Sequence, residues 1–442
     1  MNFSSTLWGI PFLGIIFSMS LLPLIMPKFW NKYGGYVPLF WTLIYAICTC
    51  YVFDFSQTIL SIADSIFSEY ISFIIQISTL FIVSGGIFIN LARQSTPLFN
   101  TLFLFGSSLL AGWIGTTGAA TLLIRPILRA NHHRYYRVHL MVFFIFLVAN
   151  IGGAFTPLGD PPLFVGFTNG IDFFWFMKNL YPYIFSTLFF LCGMFFLIDT
   201  QLLKVEQNIE FENHLPIEHD NPKEFMIKGK FNIVLLALIL ITVMCCNFDA
   251  TFSLIGHKFR WSSVARNIIL TIISIISMRY TNKTIRERNN FSLAPVREVA
   301  ELFAGIFITA TPIISTLHQG TEGNLRWLFD KLTSNGEFVL KKCFWISGIL
   351  SSILDNTPTF LIFFHLTSGN AQELMTTHAH LLASFSIATV FMGALTYIGN
   401  APNLMVKSIA HNYGVKVPSF LEYMLWSIGI LIPVFIIISY CL

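Results

Sequence analysis

Long apolar segments alternate with short polar ones along the whole chain. Runs such as 231–246 and 421–439 approach the roughly 20 residues that a helix needs to cross the hydrocarbon core of a bilayer. Comparable runs recur in both halves of the sequence. The pattern predicts an all-α polytopic membrane protein that is embedded in the lipid bilayer as its partner.

The predicted helices fall into two sets of the same order. Each half gives three spans, an interrupted pair of short helices, a broken span and a final span. The first set is predicted at 7–26, 36–53, 69–92, 100–130, 137–170 and 174–200. The second set is predicted at 231–247, 264–278, 295–317, 341–366, 378–412 and 420–442. Between them, the polar segment 201–230 predicts a cytoplasmic linker that separates a first repeat at 1–200 from a second at 231–442.

Two pairs of interruptions are related by one offset. The segments 156–162 and 396–402 share the frame Thr-x-(Leu/Ile)-Gly-(Asp/Asn)-x-Pro and lie 240 residues apart. The same offset relates 115–119, Gly-Thr-Thr-Gly-Ala, to 355–359, Asp-Asn-Thr-Pro-Thr. A broken helix is tolerated inside a bilayer where its free backbone groups line a protein cavity. Matched interruptions in two halves are the best sequence indication of a transporter's binding site.

The arms of the interrupted pairs are short. Each has about 12–15 residues, or roughly 20 Å of helix, and the hydrocarbon core is about 30 Å thick. They are predicted to form two re-entrant hairpins, at 100–130 and 341–366, with non-helical tips near mid-membrane. Each half then crosses about five times, an odd number, which predicts two inverted repeats with about ten crossings in all.

Loop charge predicts the orientation. If the N-terminus is outside, the acidic face carries Asp54, Asp64, Glu69 and Asp172. The opposite face collects Lys28, Lys32, Arg93, Arg125, Arg129, Arg134, Arg137, Lys204, Lys228, Lys230, Arg279, Lys283, Arg286, Arg288, Lys407 and Lys416. Because positive loops stay in the cytoplasm, both termini are expected to be periplasmic. Five basic residues do not follow this charge bias and are expected on the periplasmic face: Lys258, Arg260, Arg326, Lys341 and Lys342.

Composition excludes several other classes. Hydrophobic residues make up 55% and charged residues 11%, where soluble domains carry about 25% charged residues. The net charge of +4 lies mostly in loops beside the membrane, so no nucleic-acid partner is expected. The seven cysteines show no metal-binding spacing, and no phosphate-binding Walker loop occurs. The chain is expected not to be an enzyme and to need no cofactor.

Asp160 and Asp355 are the candidate ion-binding residues. Carboxylates at membrane depth usually mark ion paths or proton relays. Burial favours the neutral form of an acid, which can then exchange its proton for a competing cation such as sodium. The alternative for Asp160 is a turn-former or helix N-cap, and for Asp355 an N-cap of the second hairpin arm.

Neutral oxygens could complete such a site. The candidates at the interruptions are Thr116, Thr117, Thr156, Asn356, Thr357, Thr396, Asn400 and Asn403. The alternative is that they satisfy the broken backbone. Arg125 could attract a carboxylate, or its side chain could reach the cytoplasmic surface. A basic residue that faces the central cavity would favour an anion as substrate.

The motifs resemble a known superfamily. The relevant stretches are Gly115-Thr-Thr-Gly-Ala, Asn150-Ile-Gly-Gly-Ala-Phe-Thr-Pro-Leu-Gly-Asp-Pro-Pro, Leu354-Asp-Asn-Thr-Pro-Thr and Met392-Gly-Ala-Leu-Thr-Tyr-Ile-Gly-Asn-Ala-Pro-Asn. Over nearly the whole chain they resemble the ion transporter superfamily, in particular its bacterial sodium/proton antiporter branch, also described as citrate-transporter-like. The resemblance implies a secondary transporter of the bacterial inner membrane. The chain lacks the paired Ser-Asn-Thr tips of the superfamily's sodium/dicarboxylate carriers.

These observations lead to a first hypothesis and two alternatives. The first is sodium/proton antiport by alternating access at the hairpin tips, with the sodium ion and the proton as transported species. The second is proton- or sodium-coupled transport of citrate or another carboxylate. A membrane scaffold or receptor is the third. The matched interruptions weigh against it, because such a protein does not need unsatisfied backbone groups at mid-membrane. Assembly as a homodimer stays open.

Overall fold

Helices dominate the fold, as the hydrophobic pattern predicts. A computed structural model describes residues 6–91, 96–213, 226–246, 251–254, 257–289, 291–317, 326–334 and 337–442. Within these ranges, six helices are long and apolar enough to cross a membrane, and shorter apolar helices accompany them. The chain is a multi-pass helical membrane protein.

Ten helices make up the first half. After a 3₁₀ turn at Thr6–Gly9, they are α1 Ile10–Ile25, α2 Pro27–Tyr33, α3 Tyr36–Phe53, α4 Phe55–Ser65, α5 Ile71–Ser84, α6 Pro97–Ile114, α7 Thr116–Ala130, α8 Val138–Leu147, α9 Pro161–Thr168 and α10 Phe173–Asn213. A π turn, Ile66–Tyr70, joins α4 to α5, and a 3₁₀ turn, Ile151–Phe155, lies between α8 and α9. The helices α6 and α7 form the first hairpin, and α8 and α9 are the two parts of the first broken span.

Eleven described helices make up the second half. They are α11 Lys230–Cys245, α12 Trp261–Tyr280, α13 Lys283–Arg288, α14 Ala294–Leu317, α15 Arg326–Leu332, α16 Leu340–Leu354, α17 Asn356–Thr367, α18 Ala371–Thr376, α19 Ala379–Met392, α20 Ala401–Asn412 and α21 Phe420–Cys441. The second hairpin is α16–α17. The second broken span is α19–α20, with a 3₁₀ turn at Gly393–Leu395.

Three short antiparallel strand pairs were not predicted. β1 Phe88–Asn90 pairs with β2 Met226–Lys228, so the chain after α5 lies beside the chain before α11. The other two pairs are β3 Thr251–Leu254 with β4 His257–Arg260 and β5 Thr333–Ser334 with β6 Glu337–Phe338. Strands of two to four residues are too short for an alternating sequence pattern to reveal.

The third and last spans of the first half differ from the prediction. Helix continues from Phe55 to Ser84 through the π turn, whereas the prediction started at residue 69 and continued to residue 92. Polar positions such as Asp64 made this stretch resemble a loop. The helix α10 also extends past residue 200 to Asn213, into the predicted linker. Residues 214–225 of that linker lie outside the described residues.

The prediction of non-helical hairpin tips was wrong in extent. One residue separates the two arms of each hairpin, Gly115 in the first and Asp355 in the second. Their φ angles are +82° and +80°, in the left-handed region. Residues 116–119 and 356–359, which were expected to be irregular, are helical because one left-handed residue is enough to reverse the chain direction. Glycine adopts this conformation freely, whereas at Asp355 it is strained.

The broken spans agree with the prediction and match each other. Thr156 has φ −138° and ψ 164°, and Thr396, 240 residues later, has φ −133° and ψ 162°. Asp160 and Asn400 are likewise both extended, and each precedes a helix with proline in its first turn. The two halves thus repeat the same local geometry. Their opposite orientation in the membrane stays a prediction.

The broken spans also lie at the centre of the core. Every residue of α8 after Val138 is buried, and so is nearly all of α19. Glycines permit the close approach of backbone at both breaks, since a Cβ on Gly159 would meet the Gly153 carbonyl oxygen at 2.3 Å and one on Gly399 would meet that of Gly393 at 2.6 Å. The interruptions are therefore packed inside protein.

Candidate functional site

Asp160 is the point at which the two halves meet. Its side chain is 1% exposed and accepts hydrogen bonds from three side chains. Thr116 Oγ1 donates to Oδ1 at 3.0 Å, Asn356 Nδ2 to Oδ2 at 2.6 Å, and Asn400 Nδ2 to Oδ1 at 3.4 Å. Thr116 and Asn356 are equivalent first residues of the two second hairpin arms. The carboxylate therefore joins both hairpin tips to both breaks.

These contacts contradict the capping alternative for Asp160. Although Asp160 stands at the N-cap position of α9, its side chain makes no capping hydrogen bond. A carboxylate that accepts from three side-chain donors is well satisfied in the bilayer core. Its role in this conformation is to hold the tips against the breaks.

A chain of asparagines continues from Asp160. Asn400 also donates to Asn150 Oδ1 at 3.2 Å, and Asn150 donates to Asn403 Oδ1 at 2.8 Å. Asn403 then donates to the carbonyls of Gly393 and Thr396, both at 2.9 Å. Asn150 was not among the candidate residues predicted from the sequence, although an asparagine inside a fully apolar run was a visible signal. The amides satisfy the free backbone groups of the second break.

The two candidate threonines at the breaks have equivalent contacts. Thr156 Oγ1 donates to the carbonyl of Gly112, and Thr396 Oγ1 donates to that of Ser352 at 2.6 Å. Gly112 and Ser352 are themselves 240 residues apart. Each threonine thus ties a break to the first arm of its hairpin. These contacts agree with the alternative that the threonines satisfy broken backbone.

Asp355 has a different environment from Asp160. It is 8% exposed, and its Oδ1 accepts from the backbone N–H of Thr357 at 3.4 Å, so it caps α17. The Thr357 hydroxyl is buried and has no hydrogen-bond partner among the described groups. Unlike Asp160, Asp355 lines the main cavity. The capping alternative and a place at the cavity wall therefore both hold for Asp355.

The main cavity has a volume of about 660 Å³ and lies between α7, α14 and α20. Thr117, Thr121 and Arg125, at successive positions four apart, place one face of α7 on its wall. Polar groups of its lining also include Asn289, Ser292, Ser408, Asn412 and Tyr413. The size fits a drug-sized or smaller organic molecule far better than a bare ion.

Arg125 and Asp355 are the charged residues among those that line this cavity. Arg125 Nη1 donates to the carbonyl of Thr121 at 2.7 Å, one turn earlier in α7. No described carboxylate forms an ion pair with it. The structure thus places Arg125 at the cavity wall, where four further guanidinium N–H groups are free to bind an oxyanion.

A second, much smaller cavity of about 30 Å³ lies beside the first hairpin tip. Asp160, Thr116 and Gln76 are among the residues that line it. Gln76 is 1% exposed, and neither its amide nitrogen nor its oxygen has a described partner. The candidate residue list also missed this residue, a lone glutamine within the apolar helix α5. The space is large enough for a water molecule.

A buried ionic cluster was missed as well. Arg134 Nη2 lies 2.9 Å from Asp199 Oδ1, and its Nε lies 2.5 Å from Glu206 Oε2. His139 Nε2 lies 2.8 Å from the same oxygen of Asp199, and Asn100 donates to the other at 2.9 Å. The partners lie 60 to 99 residues apart in sequence, too far for spacing to reveal. The cluster fastens the base of the first hairpin to α10.

Sodium ligation would have to rely on single carboxylates and neutral oxygens. No group of three or more His, Cys, Asp or Glu side chains that could hold a metal occurs among the described residues. At Asp160 the amide nitrogens of Asn356 and Asn400 point at the carboxylate, so their oxygens point away. The set around Asp355 and Thr357 has fewer contacts and is the more open one.

Comparison with known proteins identifies the family. Residues 2–442 match the model of a family described as "Putative citrate transport". No curated protein matches the chain. The family match covers the hairpins, both breaks and the cavity between them, and its description is that of a transporter family. The chain therefore belongs to this citrate-transport family of membrane proteins.

Proposed function

We propose that the protein is a secondary active transporter of small multivalent carboxylates, with citrate as the reference substrate and a proton or sodium ion as the coupling ion. Arg125 carries the proposal, because it is the positive group among the residues that line a cavity large enough for citrate. A guanidinium binds carboxylates through two parallel hydrogen bonds, which a small cation cannot use. The description of the family also favours this substrate class.

The neutral groups of α7 fit the same substrate. The hydroxyls of Thr117 and Thr121 lie on the same face of the helix as Arg125. The N-terminus of α7 at Thr116 adds the positive end of the helix dipole beside the cavity. The Thr121 hydroxyl already donates to the carbonyls of Thr117 and Gly118, so a citrate bound along this face would meet one full positive charge and the Thr117 hydroxyl. Its three carboxylates therefore require a co-transported cation.

Asp355 is the proposed site for the coupling ion. It lies in the lining of the same cavity as Arg125. The partnerless hydroxyl of Thr357 lies two residues away and offers a further oxygen. A cation at Asp355 offsets part of the substrate's negative charge, so the two bind more tightly together than alone. This interaction is the proposed basis of coupling.

The experiment is uptake of labelled citrate by purified protein in liposomes, under an imposed pH or sodium gradient. Arg125→Gln is expected to lower uptake at sub-saturating citrate by roughly 10- to 100-fold, because a hydrogen bond to a charged group contributes about 1.5–3 kcal/mol. Lys204→Gln, on the exposed face of α10, is the matched control for loss of one positive charge. Unchanged citrate uptake by Arg125→Gln would contradict the proposal.

Sodium/proton exchange remains the second candidate function. Asp160 and Asp355 favour it, because both are buried acids at the tips and breaks. Sodium-dependent proton release from liposomes, in the absence of any carboxylate, tests this function directly. If sodium/proton exchange is as fast without a carboxylate as with citrate present, the protein is an antiporter and not a carboxylate cotransporter.

The membrane orientation is part of the same proposal. We infer a bacterial inner-membrane protein with two inverted repeats, periplasmic termini and alternating access of the cavity to the two sides. The concentration of basic residues on one face supports this orientation. Ser292 and Asn412, which line the main cavity and are exposed, lie at its open end. On this orientation the open end faces the cytoplasm.

A further inference from the structure

A group of four cations lies beside the open end of the main cavity. The mouth cluster, as we define it, consists of Arg129, Lys228, Arg286 and Arg288. Arg129 stands one turn after the cavity residue Arg125 in α7. None of the four forms an ion pair with a described carboxylate, even though Glu287 lies next to two of them in α13.

Two aromatic rings hold the cluster in place. The guanidinium carbons of Arg129 and Arg288 lie 4.9 Å and 5.7 Å from the centre of the Phe88 ring. Lys228 is the direct partner of Phe88 in the β1–β2 pair, and side chains of directly paired residues lie on the same side. Two guanidinium groups therefore lie over one buried ring, and the Lys228 side chain leaves the strand pair on the same side as that ring.

The fourth cation connects this group to the cavity. The guanidinium carbon of Arg286 lies 4.5 Å from the centre of the Phe291 ring, and Phe291 lines the cavity. Arg286 also donates to the carbonyls of Ile82 and Ser277, both at 3.1 Å. Asn289 lines the cavity and donates to the carbonyl of Ile87 at 2.7 Å, which holds this loop next to β1.

We propose that the mouth cluster is a second anion site, which binds multivalent carboxylates at the cavity entrance before they reach Arg125. Like charges held close together repel one another, and a dissolved anion relieves that repulsion. A concentration of one charge at a cleft raises the local concentration and the association rate of oppositely charged ligands. This inference rests on the proposed function for its role in transport, but binding at the cluster can be tested by itself.

The same chemistry could be met by the headgroup of an anionic lipid. A general excess of positive charge on the cytoplasmic face would also place basic residues here. The tests therefore separate a dissolved carboxylate from a lipid, and the mouth cluster from other cations on the same face. Arg279 and Lys283 provide the comparison, because both are exposed and close in sequence but lie outside the cluster.

The first test is chemical protection of arginine. Phenylglyoxal modifies accessible guanidinium groups, and mass spectrometry of the full-length protein in phosphatidylcholine vesicles reports modification at each position. Citrate is expected to slow modification of Arg288 several-fold and to leave Arg279 unaffected. If citrate gives no protection of Arg288 but adding phosphatidylglycerol to the vesicles does, the cluster binds lipid and the proposal is overturned. Equal protection of Arg279 and Arg288 by citrate would also overturn it.

The second test is the salt dependence of transport. The double variant Lys228→Gln with Arg288→Gln removes two exposed charges and keeps Arg129 and Arg286, which bond to backbone. At low ionic strength the KM for citrate on the cytoplasmic side is expected to rise roughly 3- to 10-fold, and the difference is expected to vanish near 0.5 M salt, where screening is strong.

The control for this test is Arg279→Gln with Lys283→Gln, which removes the same charge from the same face. An equal rise in KM in the control would overturn the proposal. If the wild type moves no citrate at all, the proposed function fails. The protection experiment then still decides whether the mouth cluster binds carboxylates.

Discussion

Asp160 and Asp355 are both buried acids at the centre of the molecule, but their surroundings give them different roles. Asp160 accepts hydrogen bonds from three side chains and belongs to the contact between the two halves. Asp355 accepts one backbone N–H and borders the cavity. Both residues could be selected from the sequence because carboxylates are rare in apolar segments. Their different contacts could not, because those depend on residues up to 240 positions away.

Asp355→Asn is expected to uncouple transport while the protein stays folded. Asparagine keeps the size of the side chain and caps helices about as well as aspartate, but it cannot carry the charge that attracts a proton or sodium ion. Citrate uptake in liposomes should no longer respond to an imposed pH or sodium gradient. The melting temperature should stay close to that of the wild type. Gradient-driven uptake at the wild-type rate would rule out Asp355 as the coupling site.

Asp160→Asn is expected to destabilise the protein. The new amide nitrogen would replace one carboxylate oxygen and face its donors, either Asn356 at the position of Oδ2 or Thr116 and Asn400 at the position of Oδ1. A buried polar group left without its partner costs about 1–3 kcal/mol. Thermal unfolding in detergent should show a lower melting temperature than that of Asp355→Asn, which is the matched control. Equal melting temperatures for the two variants would show that the Asp160 contacts do not stabilise the junction.

At the scale of elements, the sequence was most informative where apolar periodicity or proline sets a boundary. The predicted span 36–53 coincides with α3. Both broken spans are interrupted close to the predicted positions, because glycine and proline break long apolar runs there. The hairpin tips were harder, since threonine and asparagine suit both irregular backbone and a first helical turn. The β1–β2 pair and the Arg134 cluster arise only when distant segments come together.

Gly115 tests the geometry of the first hairpin tip. A Cβ there would meet its nearest atom, the Leu158 carbonyl oxygen, at 3.5 Å, so space is sufficient and the backbone conformation is the constraint. Gly115→Asn should cost less stability than Gly115→Val, because Asp355, which asparagine resembles in shape, adopts nearly the same φ and ψ at the equivalent tip, whereas a β-branched residue at positive φ is an outlier. Thermal unfolding of the two variants provides the measurement. A valine variant as stable as the asparagine variant would contradict the φ of +82° at this residue.

At the scale of the whole molecule, the repeated geometry makes the two hairpins, with their equivalent contacts to the breaks, the organising feature. The threonine contacts to Gly112 and Ser352 recur at the 240-residue offset that the sequence already displayed. Transmembrane orientation could be predicted only from loop charge, which is clear in the first half and weaker in the second. The sequence predicted a central cavity but not most of the residues of its walls, because these come from helices in both halves.

Orientation can be measured by cysteine labelling. In a background without the seven native cysteines, Lys204→Cys should react with a membrane-impermeant maleimide only after the cells are opened, because α10 is expected to end in the cytoplasm. Asp172→Cys, at the opposite end of α10, should react in intact cells. The reverse pattern would invert the proposed topology.

The central claim is that the Arg125-lined cavity holds a carboxylate, and substrate protection at Thr121→Cys tests it most directly. Thr121 lies on the cavity wall one turn from Arg125. With the purified protein in liposomes, the rate of alkylation of this cysteine is measured with citrate, with an equal ionic strength of chloride, and with sodium alone. We predict that citrate slows alkylation at least several-fold, and that it fails to do so when Arg125→Gln is added. Slowing by sodium alone, with no effect of citrate, would contradict the account.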